Sequence, residues 1–364
     1  MKHSTHNLHT DPKRIFGLDI LRAIAIILVV LGHGKFMLED TILEGFPFFK
    51  MIDGVDLFFV LSGFLIGGIL LRQIESKGSF SVQDLFGFWK RRWFRTLPNY
   101  YLVLGLNVLV VSLGIIQEDI SQFNWRFLVF IQNFKAPFQG FFWESWSLSI
   151  EEWFYLITPV LIWIAYRFLR LKSVFLLVTI AMMVLPLLYR ISLLDASISD
   201  FEWDILFRKT VLCRLDSIGY GLLGAWFCHY YAALWGKWKW IGLFLGIVLV
   251  VFVLTNPEEP YWYKQTIYFS LVPLAVLFVL PIAYSIKWGF GRVARWTVHI
   301  SKISYSMYLI NLALVAEVIR DNFEPNGGLD GMVKYGIYWL VVVSVSSLMY
   351  RYFEKPVMDL RDRF

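Results

Sequence analysis

Apolar residues run through this chain in ten blocks of about 20, at 15–34, 54–72, 97–116, 145–167, 173–190, 211–231, 240–255, 266–286, 298–319 and 333–352. The hydrocarbon core of a bilayer is about 30 Å thick and takes about 20 residues of α-helix to cross. Helices satisfy their own backbone polar groups in lipid. The pattern therefore predicts an all-α integral membrane protein with about ten transmembrane helices in one bundle. The seventh block is the shortest and stops at Asn256-Pro257. The segment 125–134 (WRFLVFIQNF) is too short to span and reads as an interfacial or re-entrant helix. The first block carries Arg22 and His33, which does not suit the apolar stretch of a secretory signal. On this reading residues 1–14 are a cytoplasmic N-terminal tail, 15–353 the transmembrane domain and 354–364 a short cytoplasmic C-terminal tail.

Composition removes the alternatives. Of 364 residues, 58% are hydrophobic and 17% charged, and the mean hydropathy is +0.59. Ordinary soluble domains carry about 25% charged residues, so disorder, collagen and a disulfide scaffold are excluded. The net charge of +6 would suit nucleic acid, but the arrangement of Lys and Arg explains it otherwise. With a cytoplasmic N-terminus, the inside segments hold an about twofold excess of basic residues, richest in 72–95. Both termini are then expected inside, with membrane lipids and no nucleic acid as partners. Cys213 and Cys228 lie in apolar helical stretches and read as free, buried thiols. His3, His6 and His9 lack a carboxylate or cysteine to complete a ligand set, so no metal is expected.

Polar groups inside the blocks are the candidate chemistry, because a charge at mid-bilayer costs several kcal/mol. In the first block (GLDILRAIAIILVVLGHG), Asp19 and Arg22 are three residues apart and can pair. His33 lies about three turns beyond Arg22 on the same face, about 16 Å further along the axis. The two would mark the cytoplasmic and external ends of one polar corridor, unless each simply snorkels to its own surface. The second block (DGVDLFFVLSGFLIGGILL) carries Asp56, Ser62 and the Gly63-x3-Gly67 pair, whose glycines also suit close helix packing. In KRRWFRTLPNYY, Arg92 and Arg95 can face one anion or serve as a positive-inside anchor, with Pro98 opening the third span. In WESWSLSIEEWFYLITP, Glu151 and Glu152 point about 100° apart, so one of them is expected to face the bundle interior. Weaker candidates are Arg214 and Asp216 in CRLDSIGYG, and Ser304, Tyr305, Tyr308 and Asn311 in ISYSMYLIN. His229 and His299 fall near helix ends and read as structural.

The ordered series LDILRAIAIILVVLGH (18–33), GVDLFFVLSGFLIG (54–67), RRWFRTLPNYY (91–101), WSLSIEEWFYL (146–156), RLDSIGYGLLGA (214–225), ISYSMYLIN (303–311) and FEKP (353–356) resembles the membrane-bound acyltransferase-3 family. The resemblance implies about ten helices and transfer of an acyl group, commonly acetyl. The donor is usually cytoplasmic acyl-CoA, here acetyl-CoA as co-substrate, and the acceptor is often a sugar hydroxyl on the outer side of a bacterial inner membrane. His33 matches the family's essential first-span histidine and Arg22 its companion arginine. Arg92 and Arg95 match its R-x-x-R pair, and Ser62, Glu151, Arg214 and Asp216 match recurrent polar positions. Asn311 stands where many members have a histidine, which puts a proton relay there in question. Some members carry a C-terminal extracytoplasmic hydrolase-like domain; none is read in these 364 residues.

These residues suggest a division of labour. Arg92 and Arg95 would hold the phosphates of acyl-CoA, with Arg22 and Ser62 along the path of its pantetheine arm. His33, with an ordinary pKa near 6.5, would take a proton from the acceptor hydroxyl, or else carry the acyl group itself. Glu151 or Asp56 would orient the imidazole or bind the acceptor, with Arg214, Asp216 and Asn311 as further substrate contacts. Ser62 or Asn311 would donate to the oxyanion. The acceptor is expected to be a glycan or lipid-linked sugar, suited by Phe46, Phe48, Trp143, Glu144, Trp203, Tyr261 and Trp262 in the outer segments. A succinyl donor, a lipid or small-molecule acceptor, and a transporter or flippase are the competing readings.

Overall fold

A computed structural model of the protein describes residues 14–44, 53–138, 140–256 and 260–361. His3, His6, His9, Phe46, Phe48 and Pro257 lie outside the described residues. The described chain contains helices, turns and no strand. Each apolar block folds as a helix, and we number them α1 (Phe16–Gly34), α2 (Gly54–Lys77), α3 (Val82–Ser112), α4 (Ser145–Ala165), α5 (Leu171–Ser192), α6 (Val211–Tyr230), α7 (Lys239–Thr255), α8 (Tyr268–Ser285), α9 (Gly291–Ile310) and α10 (Gly328–Met349). Eight of these, all but α6 and α7, are long and apolar enough to cross a membrane. Helix α6 is diluted by Arg214 and Asp216, and α7 has only 17 residues.

Two boundaries differ from the sequence reading. The basic segment before Pro98 is not a loop: α3 starts at Val82 under a Ser81/Asp84 capping box and runs 31 residues with Pro98 inside it. The missing N–H of one proline is tolerated where neighbouring helices pack closely. At 1.5 Å per residue, α3 is about 46 Å long, so it exceeds the hydrocarbon core and carries Arg92 and Arg95 on the same rigid rod as the span. The segment 125–134 is not a helix of its own. It makes one 3-10 turn, Trp125–Val129, and then reverses at Phe130 with φ 59°. Tyr100 donates to the Phe127 carbonyl at 2.8 Å, and the Trp153 indole donates to that of Phe130 at 2.8 Å, so the segment is sewn onto α3 and α4.

Hydropathy does not tell central helices from peripheral ones; burial does. Helix α2 is buried along most of its length, while α7 buries only Gly242, Gly246 and Val253. The α2–α6 crossing sits at the centre. A Cβ on Gly63 would lie 2.1 Å from the Ile218 carbonyl oxygen, and one on Gly221 would lie 2.1 Å from that of Val60. The Gly63-x3-Gly67 pair therefore meets Gly221-x3-Ala225 backbone to backbone, as small residues do between membrane helices. Gly63→Ala must push the helices apart and is expected to cost about 1–3 kcal/mol. The check is a clear drop in melting temperature in detergent. Gly105→Ala, where a Cβ meets nothing within 4 Å, should leave it unchanged or raised.

Helix α9 does not end in an ordinary cap. It passes into a π-helical turn, Asn311–Ala316, and then the short helix Glu317–Asn322. Helix α10 likewise continues through a π-turn, Tyr350–Glu354, to Arg361. Glu354 is buried there, accepting from the Asn99 amide at 2.9 Å and the Ser306 hydroxyl at 2.7 Å.

Candidate active site

Helices α1, α2, α3, α4 and α9 enclose a cavity of about 100 Å³. Each contributes polar groups: Arg22 from α1, Ser62 from α2, Arg92, Arg95 and Thr96 from α3, Ser147, Glu151 and Tyr155 from α4, and Ser304, Tyr305 and Tyr308 from α9. Residues up to 286 positions apart thus converge, and Arg22, Ser62, Arg92, Arg95 and Glu151 of the predicted site share one space.

The carboxylate in this cavity is already occupied. The Ser62 hydroxyl donates to Glu151 Oε1 at 2.5 Å, and the Tyr155 hydroxyl donates to Oε2 at 3.2 Å. Glu152 does not face lipid, contrary to the expectation that only one of the pair turns inward. It is buried on the neighbouring side, where Thr96 donates to it at 2.7 Å. The arginines contrast with this. Asp19 does not pair with Arg22; it takes Arg14 and the Ser301 hydroxyl instead. Among the described residues, Arg22, Arg92 and Arg95 form no ion pair and no side-chain hydrogen bond, and the one ring contact is Arg92 over Phe88, at 5.9 Å. Three guanidiniums against one carboxylate leave the cavity with an excess of positive charge. In a medium poor in water, unpaired charges are costly, and a bound anion removes that cost.

His33 sits further along α1 and does not line this cavity. Its Nδ1 lies 2.5 Å from Asn311 Oδ1 at the start of the π-turn. Tyr308 joins the two places: its ring borders the cavity, and its backbone carbonyl accepts from the Asn311 amide at 2.7 Å. Neither residue expected to stabilise an oxyanion has a donor to spare. Ser62 gives its hydrogen to Glu151, and the Asn311 amide gives both of its hydrogens to the Met307 and Tyr308 carbonyls.

The remaining candidates fall outside the cavity. Asp56 pairs with Arg214, and Arg190 pairs with Asp216 at 2.7 Å while also donating to the Cys213 carbonyl. Arg190 and Asp216 have no exposed surface, and Arg214 has 2%. These two pairs bolt α2 and α5 to α6. At the start of α2, Arg208 bridges Asp53 and Asp204, and Lys209 reaches Asp204 at 2.5 Å. Burial opposes ionisation of Asp53, but the adjacent Arg208 overrides it and holds the carboxyl below its ordinary value. Arg208 stands over the Trp146 ring and Lys209 over that of Trp143. Cys213 and Cys228 are both free. His229 meets Glu75, and His299 meets Ser347. No group of metal-holding side chains occurs among the described residues.

Thr96, Tyr155, Arg190 and Glu354 were not singled out from sequence. Arg190 closes the fifth apolar block, where an arginine passes for an ordinary flank. Tyr155 is one aromatic residue among many, and nothing in its local sequence separates it from them.

Comparisons with known proteins identify the family. Residues 15–351 match the profile of the acyltransferase-3 family, described as an acyltransferase domain. The O-acetyltransferase OatA of Staphylococcus aureus strain NCTC 8325 / PS 47 is 27% identical over 377 residues, covering 95% of this chain and 58% of its own. A provisionally named O-acetyltransferase of S. aureus strain COL is 25% identical over 372 residues, covering 93% of this chain and 56% of its own. The chain thus spans a little over half the length of these curated relatives. No solved structure matches it. With nearly the whole helical bundle, and every residue of the arginine-lined cavity, inside the matched region, the chain belongs to the acyltransferase-3 family.

Proposed function

We propose that this protein is a membrane O-acyltransferase. It moves an acyl group, commonly acetyl, from cytoplasmic acyl-CoA to a hydroxyl of an extracytoplasmic glycan or lipid-linked sugar, with His33 as general base. The carrying observation is the triad Arg22, Arg92 and Arg95 around one cavity, unpaired among the described residues. Guanidinium groups match phosphate oxygens in charge and geometry. Acyl-CoA brings several phosphates on a long, thin and otherwise weakly charged arm. Family membership and the names of the S. aureus relatives support acyl transfer to oxygen.

In the reaction, His33 Nε2 takes the proton of the acceptor hydroxyl as its oxygen attacks the thioester carbonyl. The tetrahedral adduct collapses by breaking the C–S bond. The leaving thiolate takes the proton back from the imidazolium, giving the ester and free CoA. Glu151, held by Ser62 and Tyr155, faces the donor path as its one carboxylate and offsets part of the repulsion among the arginines. The Asp53–Arg208–Asp204–Lys209 network, set against Trp143 and Trp146, offers both donors and acceptors to sugar hydroxyls. Positive-inside loops favour both termini in the cytoplasm, and membership of the family favours a bacterial inner membrane.

The test is purified protein in proteoliposomes with radiolabelled acetyl-CoA, with and without surface polysaccharide from the host. Label is expected in an alkali-labile ester on the glycan. Label that crosses the membrane with acetyl-CoA intact would replace this reading with a transporter. A charge-assisted hydrogen bond contributes about 1.5–3 kcal/mol. Arg92→Ala or Arg95→Ala should therefore raise KM for acetyl-CoA about 10- to 100-fold, with kcat at saturation little changed. An unaltered KM would return both residues to topology anchors.

A further inference from the structure

We infer that Asn311 is a positioning residue that holds His33 as the Nδ1–H tautomer and so leaves the Nε2 lone pair free to act as the base. This inference rests on the reading of His33 as general base.

The Asn311 amide Nδ2 lies 2.9 Å from the Met307 carbonyl and 2.7 Å from that of Tyr308. Only the NH2 side of an amide can face two carbonyl oxygens. Exchanging O and N would set three oxygens against one another in a buried site, since Asn311 has no exposed surface. The orientation is therefore determined, and Oδ1 points at His33 Nδ1, 2.5 Å away. An amide oxygen has no hydrogen to give, so the hydrogen must sit on Nδ1. The other group near Oδ1 is also a donor: the Tyr338 hydroxyl at 3.4 Å, which lies 3.1 Å from the Val30 carbonyl as well. A neutral imidazole carries one ring hydrogen. With that hydrogen on Nδ1, Nε2 is the acceptor, and among the described residues nothing bonds to it.

The π-turn explains how Asn311 reaches this place. Single π-turns re-aim side chains and occur often at functional sites. This one, Asn311–Ala316, begins at the residue in question. Its Ala313 N–H is caught by Glu144 Oε1 at 2.7 Å, and the Glu144 carbonyl accepts from Tyr308 at 3.1 Å. The turn is thus clamped from the start of α4, the helix that also carries Glu151. A histidine at 311 would present its own titrating ring to His33. An asparagine presents a fixed, uncharged acceptor, so here the partner orients and takes no proton.

The experiment is 15N NMR of histidine-labelled protein in lipid at a pH where His33 is neutral, with the His33 signal assigned by its loss in His33→Gln. The wild-type spectrum should show a protonated Nδ1 and an unprotonated Nε2. The reverse pattern would overturn the inference without any variant. In Asn311→Leu the Nε2–H form should appear, kcat should fall about 100-fold, and KM for acetyl-CoA should stay within about twofold. A fall in kcat with the tautomer unchanged would reduce Asn311 to packing, and an unchanged kcat would remove its role. Should His33→Gln retain wild-type turnover, the base assignment itself fails, which is a separate result from either.

Discussion

His33→Ala is expected to lower the rate of acyl transfer by about 10²- to 10⁴-fold, the range that a positioned general base supplies. The variant should still fold. His33 is half-buried and makes one side-chain hydrogen bond, to Asn311. When the ring is removed, Asn311 Oδ1 keeps the Tyr338 hydroxyl within reach. The melting temperature in detergent should therefore move by no more than a few degrees while turnover falls by that factor. KM for acetyl-CoA should hold, because the arginines that meet the donor's phosphates line a cavity that His33 does not border. Intact mass after incubation with donor alone separates the two chemical routes. Direct transfer leaves the protein mass unchanged, whereas an acyl-histidine intermediate adds one acyl group in the wild type. Substantial turnover by His33→Ala would end the base assignment.

The second large effect is on stability. Arg190 and Asp216 form an ion pair with no exposed surface on either side chain, and Arg190 also donates to the Cys213 carbonyl. Asp216→Ala strands a guanidinium in the bundle. Breaking a buried pair from one side costs about 3–5 kcal/mol. Asp216→Ala is expected to lose most of its folded yield in detergent, and Arg190→Ala nearly as much. The double replacement Arg190→Met with Asp216→Leu removes both charges and should recover much of the loss. A double variant no better than the single ones would mean that the pair contributes through its hydrogen bonds to the backbone and not through charge balance.

The ion pairs show how far a linear reading reaches. Insertion cost marks Asp56, Arg214 and Asp216 as unusual wherever they fall in a helix. It does not say whether the compensation is a substrate or another side chain. The answer lies in residues far away in the chain: Asp56 is matched by Arg214, and Asp216 by Arg190. The same rule flagged Arg22, while spacing in a basic segment flagged Arg92 and Arg95, and for all three no partner exists among the described residues. The local signals do not separate closed pairs from an open cluster; only three-dimensional proximity does. Asp19 makes the point within one helix. Spacing allowed it to pair with Arg22, but Arg14 and Ser301 claim it.

The sequence by itself determined that the chain is a helical membrane protein and where its apolar helices run. Each helix satisfies its own backbone and is driven by local hydropathy, so that information is contained in about 20 consecutive residues. The ordered motifs likewise pointed to the acyltransferase-3 family. Tertiary structure alone decided that Arg92 and Arg95 ride on the same rod as the third span, and that Glu151 is saturated by Ser62 and Tyr155. It also decided that Asn311, on a π-turn held by Glu144, faces His33 with its oxygen. Those facts depend on helix crossings set by small residues such as Gly63 and Gly221, and on hydrogen bonds between side chains up to 282 positions apart, neither of which leaves a periodic trace along the chain.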